Sequence, residues 1–192
     1  MENEQNTKKN LMDVSVKLFS EKGYDSVGVQ EICTKAEITK PTLYYYFGSK
    51  SGLLQNIIDE YGKTFLKKIE DAANYEHDFQ KSLTKLYKAA INFAKDNKAY
   101  FAFHCILMNA PDGSESAEVF SPVKAGLESA ILKFFKNSCN EFGNMKGKEK
   151  LYSILFHGNL YSVAQAYLNG KIKNNEETIY AIVHSFMYGI AN

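Results

Sequence analysis

The stretch Leu18–Leu54, LFSEKGYDSVGVQEICTKAEITKPTLYYYFGSKSGLL, decides how this chain is read. Val29, Ile32, Cys33 and Ala36 recur at helical spacing over about two turns, a helix too short to stand alone. Glu37-Ile38 then form a tight connection and Thr39 is a ready N-cap. Pro41 is tolerated in the first helical turn, where its missing N–H would have had no intrahelical partner. The next helix runs to Phe47 and ends at Gly48. Two short helices joined by a turn of about three residues have the layout of a helix-turn-helix. In such a unit the second helix lies in the major groove and offers its N-terminal residues to base edges. Here those residues are Lys40, Pro41, Thr42 and Tyr44. Leu43 faces the other way with Tyr46 and Phe47 close to its side, and the three are expected to pack on the chain's first helix through Leu18 and Phe19. Thr39 and Lys50 stand at helix starts, where free N–H groups and the dipole favour a phosphate, and Tyr45 can offer its hydroxyl to the same backbone.

Outward from this stretch the pattern stays helical. A first helix is expected to begin after Asn6 or Thr7, placing Leu11, Val14, Leu18 and Phe19 on one stripe before Gly23 stops it. Ser49 can cap a much longer helix in which Leu53, Leu54, Ile57, Ile58, Tyr61 and Phe65 keep the 3.6 period. Further amphipathic segments follow at 78–96, 98–109, 116–142, 148–169 and 175–190, with a break at Asn109–Ser114. Strict alternation over a strand's length is rare. The fold class is therefore all-α: a three-helix head at 1–54 joined by a long fourth helix to a helical body at 55–192, about nine helices in all.

Composition narrows the function. The 192 residues are 45% hydrophobic and 23% charged, as in a globular protein. Met1–Asn10 is polar, unlike a signal peptide, and the longest apolar stretch, Tyr100–Met108, is far below a bilayer span, so a cytoplasmic protein without membrane association is expected. Cys33, Cys105 and Cys139 are widely spaced and read as buried thiols. The net charge is +1 and the basic residues are all lysine, so DNA affinity must come from local placement, without arginine's bidentate readout of guanine.

The run from Leu11 through Leu54, above all LFSEKGYDSVGVQEIC followed by AEITKPTLYYYFGSKSGLL, resembles the TetR/AcrR family of transcription regulators. That resemblance implies a DNA-binding head and a divergent ligand-binding and dimerisation body. Carried over by position, it makes Gln30, Lys40, Thr42 and Tyr44 candidates for base or groove contacts, and Thr39, Tyr45 and Lys50 candidates for phosphates. Two departures stand out: Glu37 occupies the place of a usual turn glycine, and Gly28 that of a usual capping Ser or Thr.

One short reading helix covers part of a groove, so two copies about 34 Å apart are expected to read a near-palindromic operator. Leu151, Ile154, Leu155 and Gly158, with Ile179, Ile182, Val183 and Phe186, repeat at helical spacing in the last two helices and are the candidate homodimer interface. Tyr61, Phe65, Tyr100, Phe101, Phe103, His104, Met108 and Phe120 are candidates to line a pocket for a small, mostly apolar effector, the other reading being plain core. The function expected is a sequence-specific repressor released from its operator by such a ligand. A helical binding or scaffold protein with a degenerate head is the alternative.

No cofactor is implied and an enzyme is not expected. His104-Cys105 has no partner residue at i+3 or i+4 for a metal. Gly143–Lys148 lacks the spacing of a phosphate loop, and no nucleophile elbow, zinc or dinucleotide motif occurs.

Overall fold

The computed structural model describes residues 2–189, and every described element is helical. α1 spans Glu2–Lys22, α2 Val29–Lys35, α3 Lys40–Phe47 and α4 Lys50–Ile57. A π-helical turn, Ile58–Gly62, carries α4 without a break into α5, Lys63–Ala72. α6 Phe79–Asp96, α7 Lys98–Leu107, α8 Glu115–Ser138, α9 Glu149–Leu168 and α10 Glu176–Tyr188 complete the order. With Lys50–Ala72 counted as one helix, nine such helices lie among the described residues, and a 3-10 turn, Cys139–Glu141, follows α8.

Local chemistry sets the starts. Thr39, Ser49, Asp78 and Asn175 each accept a backbone N–H from three residues on, satisfying a donor that has no intrahelical acceptor. The expected start of α1 at Asn6 or Thr7 is corrected: the helix already runs from Glu2, because Glu4 and Gln5 are good helix formers and no Gly or Pro stops it. The expected long fourth helix is present, but a π-helical turn interrupts its hydrogen-bond register at Ile58–Gly62. The expected end of the last helix at 190 lies outside the described residues.

Two compact units partition the chain. The first holds residues 1–64 and 99–123, the second 65–98 and 124–192. In the first, α1 packs on α2 and α4, and α3 on α2 and α4, over a core of Leu11, Phe19, Val27, Ile32, Leu43, Leu53 and Leu54. In the second, α6 packs on α9 and α10, with Phe79, Phe134, Phe135 and Phe156 at the centre. Cys33 and Cys139 are buried as expected, whereas Cys105 is only half-buried, since it falls off the inward face held by Phe101 and His104. No described helix is long and apolar enough to cross a membrane.

Candidate nucleic-acid interface

α2 ends at Lys35 and the chain turns through Glu37, whose φ of 56° is left-handed. A glycine adopts that conformation without strain and a glutamate does not, so the turn keeps its usual geometry at a cost. The turn is closed by the Ile38 N–H donating to Cys33 O at 3.0 Å. Gly28 caps α2 with extended backbone and no side-chain hydrogen bond.

α3 then presents two faces. Leu43 and Phe47 are buried, while Lys40, Pro41, Tyr44 and Tyr45 are exposed, Tyr45 by 75% and Tyr44 by 46%. Tyr46 is half-buried, its ring edge-on to Tyr45 at 5.2 Å. Thr39 Oγ1 lies 2.8 Å from Thr42 Oγ1 and accepts the Thr42 N–H, so both hydroxyls serve the start of the helix. Gln30 is exposed on α2. Of the residues expected to hold α3 from α1, Leu18 and Phe19 are both buried, and the Phe19 ring meets Tyr24 at 5.2 Å and Phe103 at 5.3 Å.

Two relationships were invisible in the sequence. Gly52, in the first turn of α4, lies so close to the end of α3 that an added Cβ would stand 1.9 Å from Phe47 O. The reading helix and α4 are thereby joined backbone to backbone. The second is the setting of Lys50. Its ammonium is half-buried, donates to Tyr24 O at 2.6 Å and sits 3.9 Å from the centre of the Tyr24 ring. Burial holds the ammonium below its usual pKa, opposed by Asp25 and Glu115. The Tyr24 hydroxyl donates to Glu115 Oε2 at 2.5 Å, and burial with this bond raises the phenol's pKa. Glu115 is held below the usual carboxylate range by the hydroxyls of Tyr24 and Ser51.

The effector candidates divide. Tyr61 stacks on Tyr100 at 5.2 Å, His104 lies edge-on to Phe120 at 5.0 Å and nearly parallel to Phe101 at 6.1 Å, all in the first unit. Met108 is half-buried there, while Phe65 belongs to the second unit and stacks on Phe93 at 4.6 Å. Among the interface candidates, Leu151, Ile154, Leu155 and Gly158 are exposed on α9, and Ile182 and Phe186 half-exposed on α10. Ile179 and Val183 require correction: at 1% and 0% exposure they belong to the chain's own core. The outward face of α10 carries Tyr180, His184 and Tyr188 instead.

A three-helix head with its second and third helices arranged in this way defines a helix-turn-helix DNA-binding protein. Residues 11–57 match the family model described as bacterial regulatory proteins, tetR family, so the head is similar to the DNA-binding segment of those transcriptional regulators. The chain is 26% identical over 131 residues to the biofilm operon icaADBC HTH-type negative transcriptional regulator IcaR of Staphylococcus epidermidis, covering 67% of this chain and 69% of that protein. The fold is similar to that of a proposed fatty acid metabolism regulator of Clostridium perfringens, with a TM-score of 0.78 at 22% identity over 95% of this chain and 99% of the other. It is also similar to FadR of Bacillus subtilis solved in complex with stearoyl-CoA, with a TM-score of 0.73 at 15% identity over 95% and 98%.

Proposed function

We propose that this chain is a homodimeric repressor that occupies a near-palindromic operator and is released by a small, mostly apolar ligand in the cytoplasm. The observation that carries the reading is the outer row of α3: Lys40, Pro41, Tyr44 and Tyr45 stand in solvent directly opposite Leu43 and Phe47, which fix the helix from below. Lys40, Thr42, Tyr44 and Gln30 then read bases. Thr39, Tyr45 and Lys50 bind phosphates, Lys50 by exchanging the Tyr24 carbonyl for a phosphate oxygen. Residues 1–54 act as the DNA-binding domain and 55–192 as the ligand-binding and dimerisation domain.

Dimerisation through α9 and α10 accounts for large apolar side chains left in water, Leu151 at 53% and Ile154 at 60% exposure. Gly158 has nothing within 4 Å of the place a Cβ would take, so a second helix can approach closely there. Between α9 and α10 runs a hollow of about 920 Å³ walled by Tyr152, Leu155, Ile182 and Phe186. A second copy laid on it removes these groups from water.

Occupancy of an operator by such a dimer excludes polymerase without an activating surface, and IcaR is itself a negative regulator. A ligand that favours a body arrangement with wrongly spaced heads shifts the population off the DNA. The stearoyl-CoA bound by B. subtilis FadR supports the mostly apolar class. The packed rings of Tyr61, Tyr100, Phe101, Phe103, His104 and Phe120, with Met108, are the proposed place where it inserts. The test is fluorescence anisotropy of a bound operator duplex titrated with long-chain acyl-CoA and the matching free fatty acid. Release at micromolar ligand supports the reading, and no release by either removes the ligand from it.

A further inference from the structure

We infer that the reading helix recognises thymine methyl groups, and that each operator half-site is accordingly dominated by A·T pairs; the inference rests on the DNA-binding reading above. The chain contains no arginine, so the planar fork that pairs with guanine O6 and N7 is missing, as is the guanidinium that enters narrow minor grooves. α3 carries a single cation, Lys40. The rest of its outer surface is uncharged, and much of it is ring carbon. Pro41 is exposed, and the Tyr44 ring is 46% exposed. Thr42 has its hydroxyl 2.8 Å from that of Thr39, which leaves its methyl as the group it presents.

Among the groups that B-DNA displays in its major groove, the C5 methyl of thymine is the apolar one. A helix whose base-facing side is two rings and a methyl gains most where thymines line its path. Gln30, exposed on α2, carries the amide that matches the N6 donor and N7 acceptor of adenine. An A·T pair therefore offers both features that these side chains fit. A G·C pair offers neither the methyl nor the adenine edge, and Lys40 is the single charged donor on α3 for guanine O6 and N7. One required G·C pair per half-site is the most this surface supports.

The test uses the full-length chain to enrich duplexes from a random pool, then remakes the winning site with uracil in place of each half-site thymine. That change deletes the methyl and leaves every hydrogen-bonding edge. Affinity is expected to fall roughly fourfold for each contacted methyl, the value of one buried carbon. Tyr44→Ala, which trims an exposed ring, is expected to shrink the uracil penalty, whereas Lys40→Ala weakens binding and leaves the penalty intact. Unchanged affinity for the uracil duplex, or recovered half-sites with two or more required guanines, overturns the inference while leaving the DNA-binding reading in place. Recovery of no sequence at low salt overturns both.

Discussion

The Lys50 ammonium donates to the carbonyl of Tyr24 at 2.6 Å while covering that residue's ring at 3.9 Å. The start of α4 is thus tied to the turn between α1 and α2, and Tyr24 in turn donates its hydroxyl to Glu115 at the start of α8. Lys50 therefore holds the head together and, in the proposed complex, also meets a phosphate, and the two roles can be separated. Lys50→Met keeps the stem and removes the charge. It is expected to lower stability by about 1 kcal/mol through the lost hydrogen bond and ring contact. It is also expected to reduce the salt dependence of DNA binding by about one charge per half-site. Chemical denaturation and binding isotherms at several salt concentrations read the two effects independently.

The turn of the helix-turn-helix stores strain at Glu37. Glu37→Gly is expected to raise stability by roughly 0.5–1 kcal/mol, the left-handed penalty less the entropy glycine adds to the unfolded chain. Gly28→Ser, at an open N-cap, is expected to add a few tenths of a kcal/mol. Urea melts of both variants check the sign and size, and a loss of stability in Glu37→Gly contradicts the conformation assigned to the turn.

Gly52 makes the opposite prediction. No rotamer relieves a Cβ placed against a backbone carbonyl, so Gly52→Ala must push α3 and α4 apart. A loss of about 2 kcal/mol or more is expected, in the upper range for overpacking, together with loss of operator binding. A thermal melt and a binding assay on the same preparation measure both.

Substitution on α9 and α10 separates interface from core. The pair Leu151→Glu with Ile154→Glu, at exposed positions, is expected to leave a folded monomer that binds DNA weakly. Ile179→Glu, at a buried one, is expected to unfold the chain. Sedimentation equilibrium and circular dichroism distinguish the outcomes.

His157 supplies a pH dependence. Burial depresses its pKa below the usual 6.5, so the unfolded chain binds a proton that the folded chain resists. The stability it contributes is present above pH 6.5 and is lost as pH falls through the depressed folded value, at most about 1.4 kcal/mol per pH unit. His157→Gln is expected to flatten that part of the stability profile. Glu141, held low by the hydroxyl of Tyr75 and by His77, acts in the same direction only in the more acidic carboxylate range.

The helices of this chain are legible in its sequence because the apolar period, the caps at Thr39 and Ser49 and the stop at Gly48 agree with one another. What stayed hidden depends on neighbours distant in the chain or on backbone alone. Nothing in the sequence distinguishes a lysine reaching outward from one folded back over Tyr24. Gly52 looks like a poor helix former until Phe47 O is placed beside it. On α10 both stripes are apolar or aromatic, so periodicity could not choose between Ile179 with Val183 and Tyr180 with Tyr188 as the inward face. On α3 the choice was plain, since Leu43 and Phe47 oppose a lysine and a proline.

The most direct test of the central claim is equilibrium binding of the purified chain to its selected operator and to a scrambled duplex, each measured from low to physiological salt. Steep weakening with salt from phosphate contacts is expected, with a preference for the operator of roughly a thousandfold or more. Equal affinity for both duplexes, or binding indifferent to salt, would contradict it.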